Sequence, residues 1–114
     1  RGEAVAMAAD QVPAKNMGVY EEFFGRKVYT TNLIPSLYSK TKAPIVSVAI
    51  HSDNLTNKLY IRYGSKSTYK EKPQYNAKAM NDEIEKIINI NPEDYNWEYK
   101  RFKKQEVEDK TIYK

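Results

Sequence analysis

From Asn76 to Ile90 apolar residues return at Ala77, Met80, Ile84, Ile87 and Ile88, with Glu and Lys between them. That spacing predicts one amphipathic helix over residues 76–90, and Pro92 prevents it from continuing. A helix with a single apolar stripe must bury it against another element, and the preceding residues offer candidates. Pro44 opens Ile45-Val46-Ser47-Val48-Ala49-Ile50, the clearest strand signal, and Ser52-Asp53-Asn54 has turn chemistry. Lys58–Tyr63 alternates polar and apolar residues and predicts a strand paired antiparallel with it. A second helical stripe runs through Leu33, Ile34, Leu37, Tyr38 and Thr41. Thr31 or Asn32 can cap its start, Pro35 is tolerated in its first turn, and Lys40 and Lys42 suit its C-terminal end.

The first third is less regular. Ala4–Ala9 is a short apolar run ended by Asp10, which predicts a strand covered on both faces. A core strand this close to Arg1, without a polar leader, implies preceding sequence, so the chain is expected to be a fragment of a longer protein. Residues 10–22 carry Pro13, Asn16 and Gly18 and read as a loop. Val19–Tyr29 mixes aromatic and β-branched residues, with Gly25-Arg26-Lys27 as the expected turn. Gly64–Gln74 is a polar, lysine-rich loop. After Pro92 a short aromatic segment runs through Trp97 and Phe102, and the last ten residues are charged and expected to fray. Strand, helix, strand, strand, helix is an α/β pattern.

At 114 residues this is one domain, and a hydrophobic fraction of 40% is too high for disorder. There is no cysteine, which removes disulfide frameworks and thiolate metal sites. No apolar run approaches the roughly 18–20 residues of a membrane span, and nothing reads as a signal peptide. The net charge of +4 favours anionic partners such as phospholipid headgroups, phosphorylated glycans, nucleic acid or acidic carrier proteins.

Few residues carry obvious chemistry. His51 is the one histidine. Asp53 would share its face if the strand continued, as a histidine–carboxylate pair requires, but Asp53 falls where the turn is expected. The favoured reading is a solvent-facing histidine at a strand end. Gly64-Ser65-Lys66-Ser67 lacks the upstream glycine of a phosphate loop and reads as a polar loop. Asn54-Leu55-Thr56 matches a glycosylation sequon, a pattern that arises by chance. No cluster has metal-ligand spacing, so neither a metal nor another cofactor is expected. Ten tyrosines beside many lysines are a weak nucleic-acid signal, since most fall where they can pack as core or rim residues. Asp10, just beyond the end of a buried strand, is where α/β folds place functional groups, and it is equally a common turn cap.

The order Asp10-Gln11-x-Pro13, Gly18, Phe23-Phe24-Gly25 and Thr30-Thr31 resembles the bacterial lipid A biosynthesis acyltransferases of the lauroyl/myristoyl type. So does a helix with Asn81 and Glu85 leading into Pro92-x-x-Tyr95-x-Trp97-x-x-x-Arg101-Phe102-Lys103. The resemblance covers roughly residues 2–104. It implies the C-terminal portion of a glycerolipid-acyltransferase-like α/β domain, a mixed sheet flanked by helices, over residues 1–104, followed by a charged tail at 105–114.

The family's closing signature usually reads Trp-x-His-Arg-Arg-Phe-Lys, whereas Tyr99 and Lys100 stand at the His and first Arg here. The family's catalytic histidine and carboxylate lie well before Asp-Gln and are missing from this chain. The implied reaction moves a fatty acyl group from acyl carrier protein to a hydroxyl of a phosphorylated, partly acylated glucosamine disaccharide, a lipid A precursor. It would take place at the cytoplasmic face of the bacterial inner membrane. By the resemblance, Asp10 supports the missing pair, while Gln11, Phe23, Phe24, Arg26 and Arg101 contact substrate. Phe23 and Phe24 would line an acyl channel; Arg26, with Lys27, would meet phosphate or the anionic inner-membrane surface. Trp97, Arg101, Phe102 and Lys103 mix rings with cations, as suits a membrane interface. Nucleic acid is not among the implied partners. The alternative from the residues alone is a small basic α/β module that binds RNA or a protein.

Overall fold

A computed structural model describes residues 2–53, 55–56, 58–63 and 75–103, with 58–63 described as backbone. The expectations for Asn54, for Gly64–Gln74 with its Gly64-Ser65-Lys66-Ser67 stretch, and for the tail at 105–114 lie outside these residues. The architecture is mixed α/β. Strands β1 (Gly18–Phe23) and β2 (Arg26–Thr31) form one antiparallel hairpin, and β3 (Val48–Asp53) and β4 (Lys58–Tyr63) form another. Helix α1 (Leu33–Thr41) links the hairpins, and α2 (Ala77–Ile90) leads into a 3₁₀ turn at Pro92–Asp94.

Both helices form where the periodicity places them. Asn76 caps α2 by accepting the Ala79 N–H at 2.9 Å, and Pro92 stands two residues beyond its end. At α1 the Thr31 hydroxyl accepts the Leu33 N–H at 3.3 Å. Lys42 closes the other end in the left-handed region at φ 54°, its N–H bonded to the Tyr38 carbonyl at 2.8 Å. Pro35 falls in the first turn, where its missing N–H costs nothing.

The apolar stripe of α2 packs on β1 and divides the core into two clusters. Phe23, Val28, Ile88 and Phe102 make one, with Phe24, Ile84 and Tyr95 against it. Tyr38, Tyr75, Ala79 and Met80 make the other, with Ala9, Ile34, Ile45 and Ile84 against it. Ile84 therefore touches both.

Three expectations are corrected. Ala4–Ala8 is exposed and forms no strand. A strand covered on both faces needs neighbours on both sides, and among the described residues the run pairs with none; only Ala9, at its end, reaches the core. The strand after Pro44 begins at Val48 rather than Ile45 and continues through Ser52 and Asp53, because the ladder runs to Asp53 opposite Lys58. The first hairpin turns at Phe24-Gly25, so Arg26 and Lys27 already belong to β2. Phe24 and Gly25 have φ of 49° and 74°. Positive φ at both central positions marks the turn type whose twist matches that of the flanking strands. Glycine adopts it freely, whereas Phe24 is held there by its packing.

Candidate functional site

The first hairpin is fixed by polar side chains from distant segments. Asn81 is fully buried on the apolar stripe of α2. Its amide donates to the Glu22 carbonyl at 3.0 Å and to the Thr30 hydroxyl at 3.1 Å. One turn further on, the Glu85 carboxylate accepts the Phe24 N–H at 2.5 Å. Arg101, 1% exposed, donates to the Tyr29 carbonyl at 2.8 Å and to the Thr30 hydroxyl at 3.0 Å, with its guanidinium 5.2 Å from the Phe23 ring centre. A buried guanidinium is tolerable because carbonyl and hydroxyl oxygens replace its water. Thr30 itself donates to the Val28 carbonyl at 3.1 Å, so its single proton and two acceptor positions are all engaged.

The loop holding Asp10 and Gln11 is joined to the same assembly. Its Val12 N–H donates to the Tyr99 phenolic oxygen at 2.8 Å. Pro13 lies against Gly18 so closely that a β-carbon there would sit 2.6 Å from Pro13 Cγ and 2.4 Å from the Thr30 carbonyl oxygen. This is the close approach that requires glycine at 18. Beside the loop opens a largely apolar cleft of about 330 Å³ lined by Met7, Ala8, Gln11, Val12, Pro13, Thr31, Leu33 and Ile34. Its volume lies at the low end for a small-molecule site.

These placements divide the candidate residues. Gln11 is exposed on the cleft, and Asp10, half-buried in the turn before it, engages no side-chain hydrogen bond or ion pair among the described residues. Phe23 is sealed in the core at 0% exposure. Phe24 is half-buried at the hairpin tip against Phe23 and Trp97, at ring-centre distances of 4.8 and 5.9 Å. Arg26 is exposed just after the tip. The cleft lies at the opposite end of the hairpin, beside Thr31. At about 3.3 Å per residue, six-residue strands put the two ends on the order of 17 Å apart. The structure thus brings Gln11 to the cleft, sets Asp10 in the turn immediately before it, and leaves Phe23 and Phe24 away from it.

His51 is not a solvent-facing strand-end residue. It lies inside β3 at 4% exposure, with no partner for Nδ1 among the described residues. The strand does continue to Asp53, yet that carboxylate turns to its own loop, accepting from the Leu55 N–H at 2.9 Å and the Thr56 hydroxyl at 2.8 Å. Ser52, between His51 and Asp53, binds Asp94 through its N–H at 2.5 Å and its hydroxyl at 2.7 Å. Those bonds, chiefly the hydroxyl, hold the Asp94 carboxyl below its usual value of 3.8, with His51 adding a smaller attraction. Among the described residues no three His, Asp or Glu side chains converge as a metal cage would, and no helix is long and apolar enough to cross a membrane.

Asn81, Glu85 and Tyr99 carry the most consequential contacts, and sequence reasoning gave them no role. Asn81 had one signal: a polar residue on an apolar stripe must find partners once buried.

The family model for bacterial lipid A biosynthesis acyltransferase matches residues 1–104. No curated protein and no solved structure matches the chain.

Proposed function

The chain belongs to the bacterial lipid A biosynthesis acyltransferase family, and on that premise we propose that it contributes the acceptor-side wall of an enzyme that acylates a lipid A precursor. A hydroxyl of the phosphorylated, partly acylated glucosamine disaccharide attacks the thioester carbonyl of acyl carrier protein. The hydroxyl proton passes to a general base, the new C–O bond forms, the C–S bond breaks, and the base returns the proton to the departing sulfur so that the carrier leaves as a thiol. In this reading the base is a histidine oriented by a carboxylate, both supplied by sequence preceding Arg1. The 114 residues alone are then inactive.

One observation carries the proposal. A loop bearing a half-buried, unengaged carboxylate and an exposed amide is clamped beside an apolar cleft by residues from both halves of the family match. Asp10 supports the catalytic pair, and Gln11 contacts the acceptor. Leu33 and Ile34 offer the apolar wall that an acyl chain needs, each methylene kept from water being worth about 0.8 kcal/mol. Arg26 meets phosphate or headgroups at the exposed hairpin end. Phe23, Phe24 and Arg101 serve the substrate indirectly, by holding that hairpin in place. Work at the cytoplasmic face of the inner membrane agrees with the positive charge, since the carrier, the acceptor and the leaflet are all anionic.

The test is acyl transfer in vesicles containing the phosphorylated acceptor, with labelled acyl carrier protein as donor. The full-length protein is expected to transfer the label, Leu33→Trp to transfer it several-fold more slowly by narrowing the cleft, and the isolated 114 residues not at all. No transfer by the full-length protein overturns the function. Transfer by the isolated chain overturns the placement of the general base.

A further inference from the structure

We propose that Tyr99 is a positioning residue for the cleft: its phenolic oxygen, by accepting the Val12 N–H, sets the backbone on which Asp10 and Gln11 are mounted. The inference rests on the reading of the cleft as the acyl-transfer site.

The hydrogen-bonding inventory of the loop is short. Pro13 has no N–H to give. The Gln11 N–H reaches the Ala8 carbonyl only at 3.4 Å, near the limit for such a bond. The Val12 N–H at 2.8 Å is therefore the strong tether of residues 10–13 among the described residues. It spans 87 positions of sequence and is partly buried, so water replaces the phenol only at a cost.

The phenol stands on a firm base. The Tyr99 N–H bonds the Asn96 carbonyl at 3.2 Å, and its own carbonyl accepts the Arg101 N–H at 2.7 Å. Arg101 is locked to β2 through Tyr29 and Thr30. On the other side, Gly18 receives Pro13 and donates its N–H to the Tyr29 phenol at 3.1 Å. The loop is thus held from the C-terminal segment at Val12 and from the hairpin at Pro13. Losing the first hold leaves Asp10 and Gln11 free to swing about the second.

Tyr99→Phe in the full-length protein removes only the hydroxyl, and with it the acceptor of the Val12 N–H. Amide hydrogen exchange at Val12 is expected to quicken on the order of tenfold, with exchange at Tyr29 and Thr30 unchanged. In the transfer assay kcat should fall by a similar factor while KM for the acyl carrier protein holds, because in the reading above the loop faces the acceptor and not the carrier. Tyr99→His, which keeps a ring and an acceptor nitrogen, should recover part of both. Unchanged exchange at Val12 overturns the tether whatever the activity does. Faster exchange with unchanged kcat reduces the bond to a structural one and overturns its positioning role. A wild-type protein without transfer activity overturns the acyltransferase reading instead, and with it any catalytic meaning of the tether, while the exchange comparison still decides the tether itself.

Discussion

Glu85 on the second helix accepts the backbone N–H of Phe24 at the tip of the first hairpin, 61 positions away, at 2.5 Å. The bond is made to a residue held at a φ of 49°, so the carboxylate supports a backbone conformation that phenylalanine does not favour. Removing it should let the tip relax. Glu85→Ala is expected to cost about 1–3 kcal/mol, the range for a charge-assisted bond to a partly buried donor. Glu85→Gln should cost less, because it keeps an acceptor. Urea unfolding of the two variants side by side measures the difference.

Gly18 should tolerate no side chain. A methyl group there meets the Thr30 carbonyl oxygen and Pro13 Cγ inside contact distance, and the first is backbone in a paired strand. Gly18→Ala is expected to destabilise by about 1–3 kcal/mol, as overpacking does, and to push Pro13 off the start of β1. Thermal unfolding reads the first effect, and amide exchange at Thr30 and Thr31 reads the second.

Asn81 and Arg101 should prove non-additive. Both donate to one Thr30 hydroxyl, so each single truncation leaves the other donor in place. Asn81→Ala and Arg101→Ala are each expected to cost roughly 3 kcal/mol or more, as losses of buried polar partners do. Arg101→Lys should recover little, since one ammonium cannot reach the Tyr29 carbonyl and the Thr30 hydroxyl in the planar geometry seen here. In a double-mutant cycle the pair is expected to couple by about 0.5–3 kcal/mol; strict additivity would show that Thr30 does not link them.

Acid should loosen the second hairpin from the 3₁₀ turn. The Asp94 carboxyl is held below its ordinary value of 3.8 by the two bonds from Ser52. A depressed carboxyl stabilises the folded state above its unfolded value and loses that stabilisation as pH falls through the folded one. Amide exchange at Ser52 should therefore be steady from neutral pH down to about 4 and rise below it, once corrected for intrinsic exchange. Asp94→Asn should remove the step. A step that persists in this variant would assign it to another group.

The two helices were legible in the sequence because each rests on local chemistry. The stripe from Ala77 to Ile88 has an unbroken helical period, and Asn76 and Pro92 bound it within the same few residues. Lys58–Tyr63 was legible for the same reason, through its alternation. Ala4–Ala9 misled, since an apolar run specifies burial without naming a partner, and none of the described strands pairs with it. His51 misled in the opposite direction. Its neighbour Asp53 has a side chain suited to turns, and that chemistry operates here at the last residue of the strand rather than after it. At the site, Asp10 and Gln11 were visible as motif residues. Their attachment to Tyr99, 87 positions from Val12, depends on tertiary proximity that no local pattern encodes.

The saturated hydroxyl of Thr30 has a consequence for anyone redesigning this core. Valine has the same outline but would strand two buried donors at once, and serine would keep the chemistry while leaving a methyl-sized void. A hydrophobic replacement can therefore succeed only as a set, with Thr30, Asn81 and Arg101 exchanged together. The three positions are best varied as one unit, since an apolar exchange at any one of them leaves a buried donor or acceptor of the others without its partner.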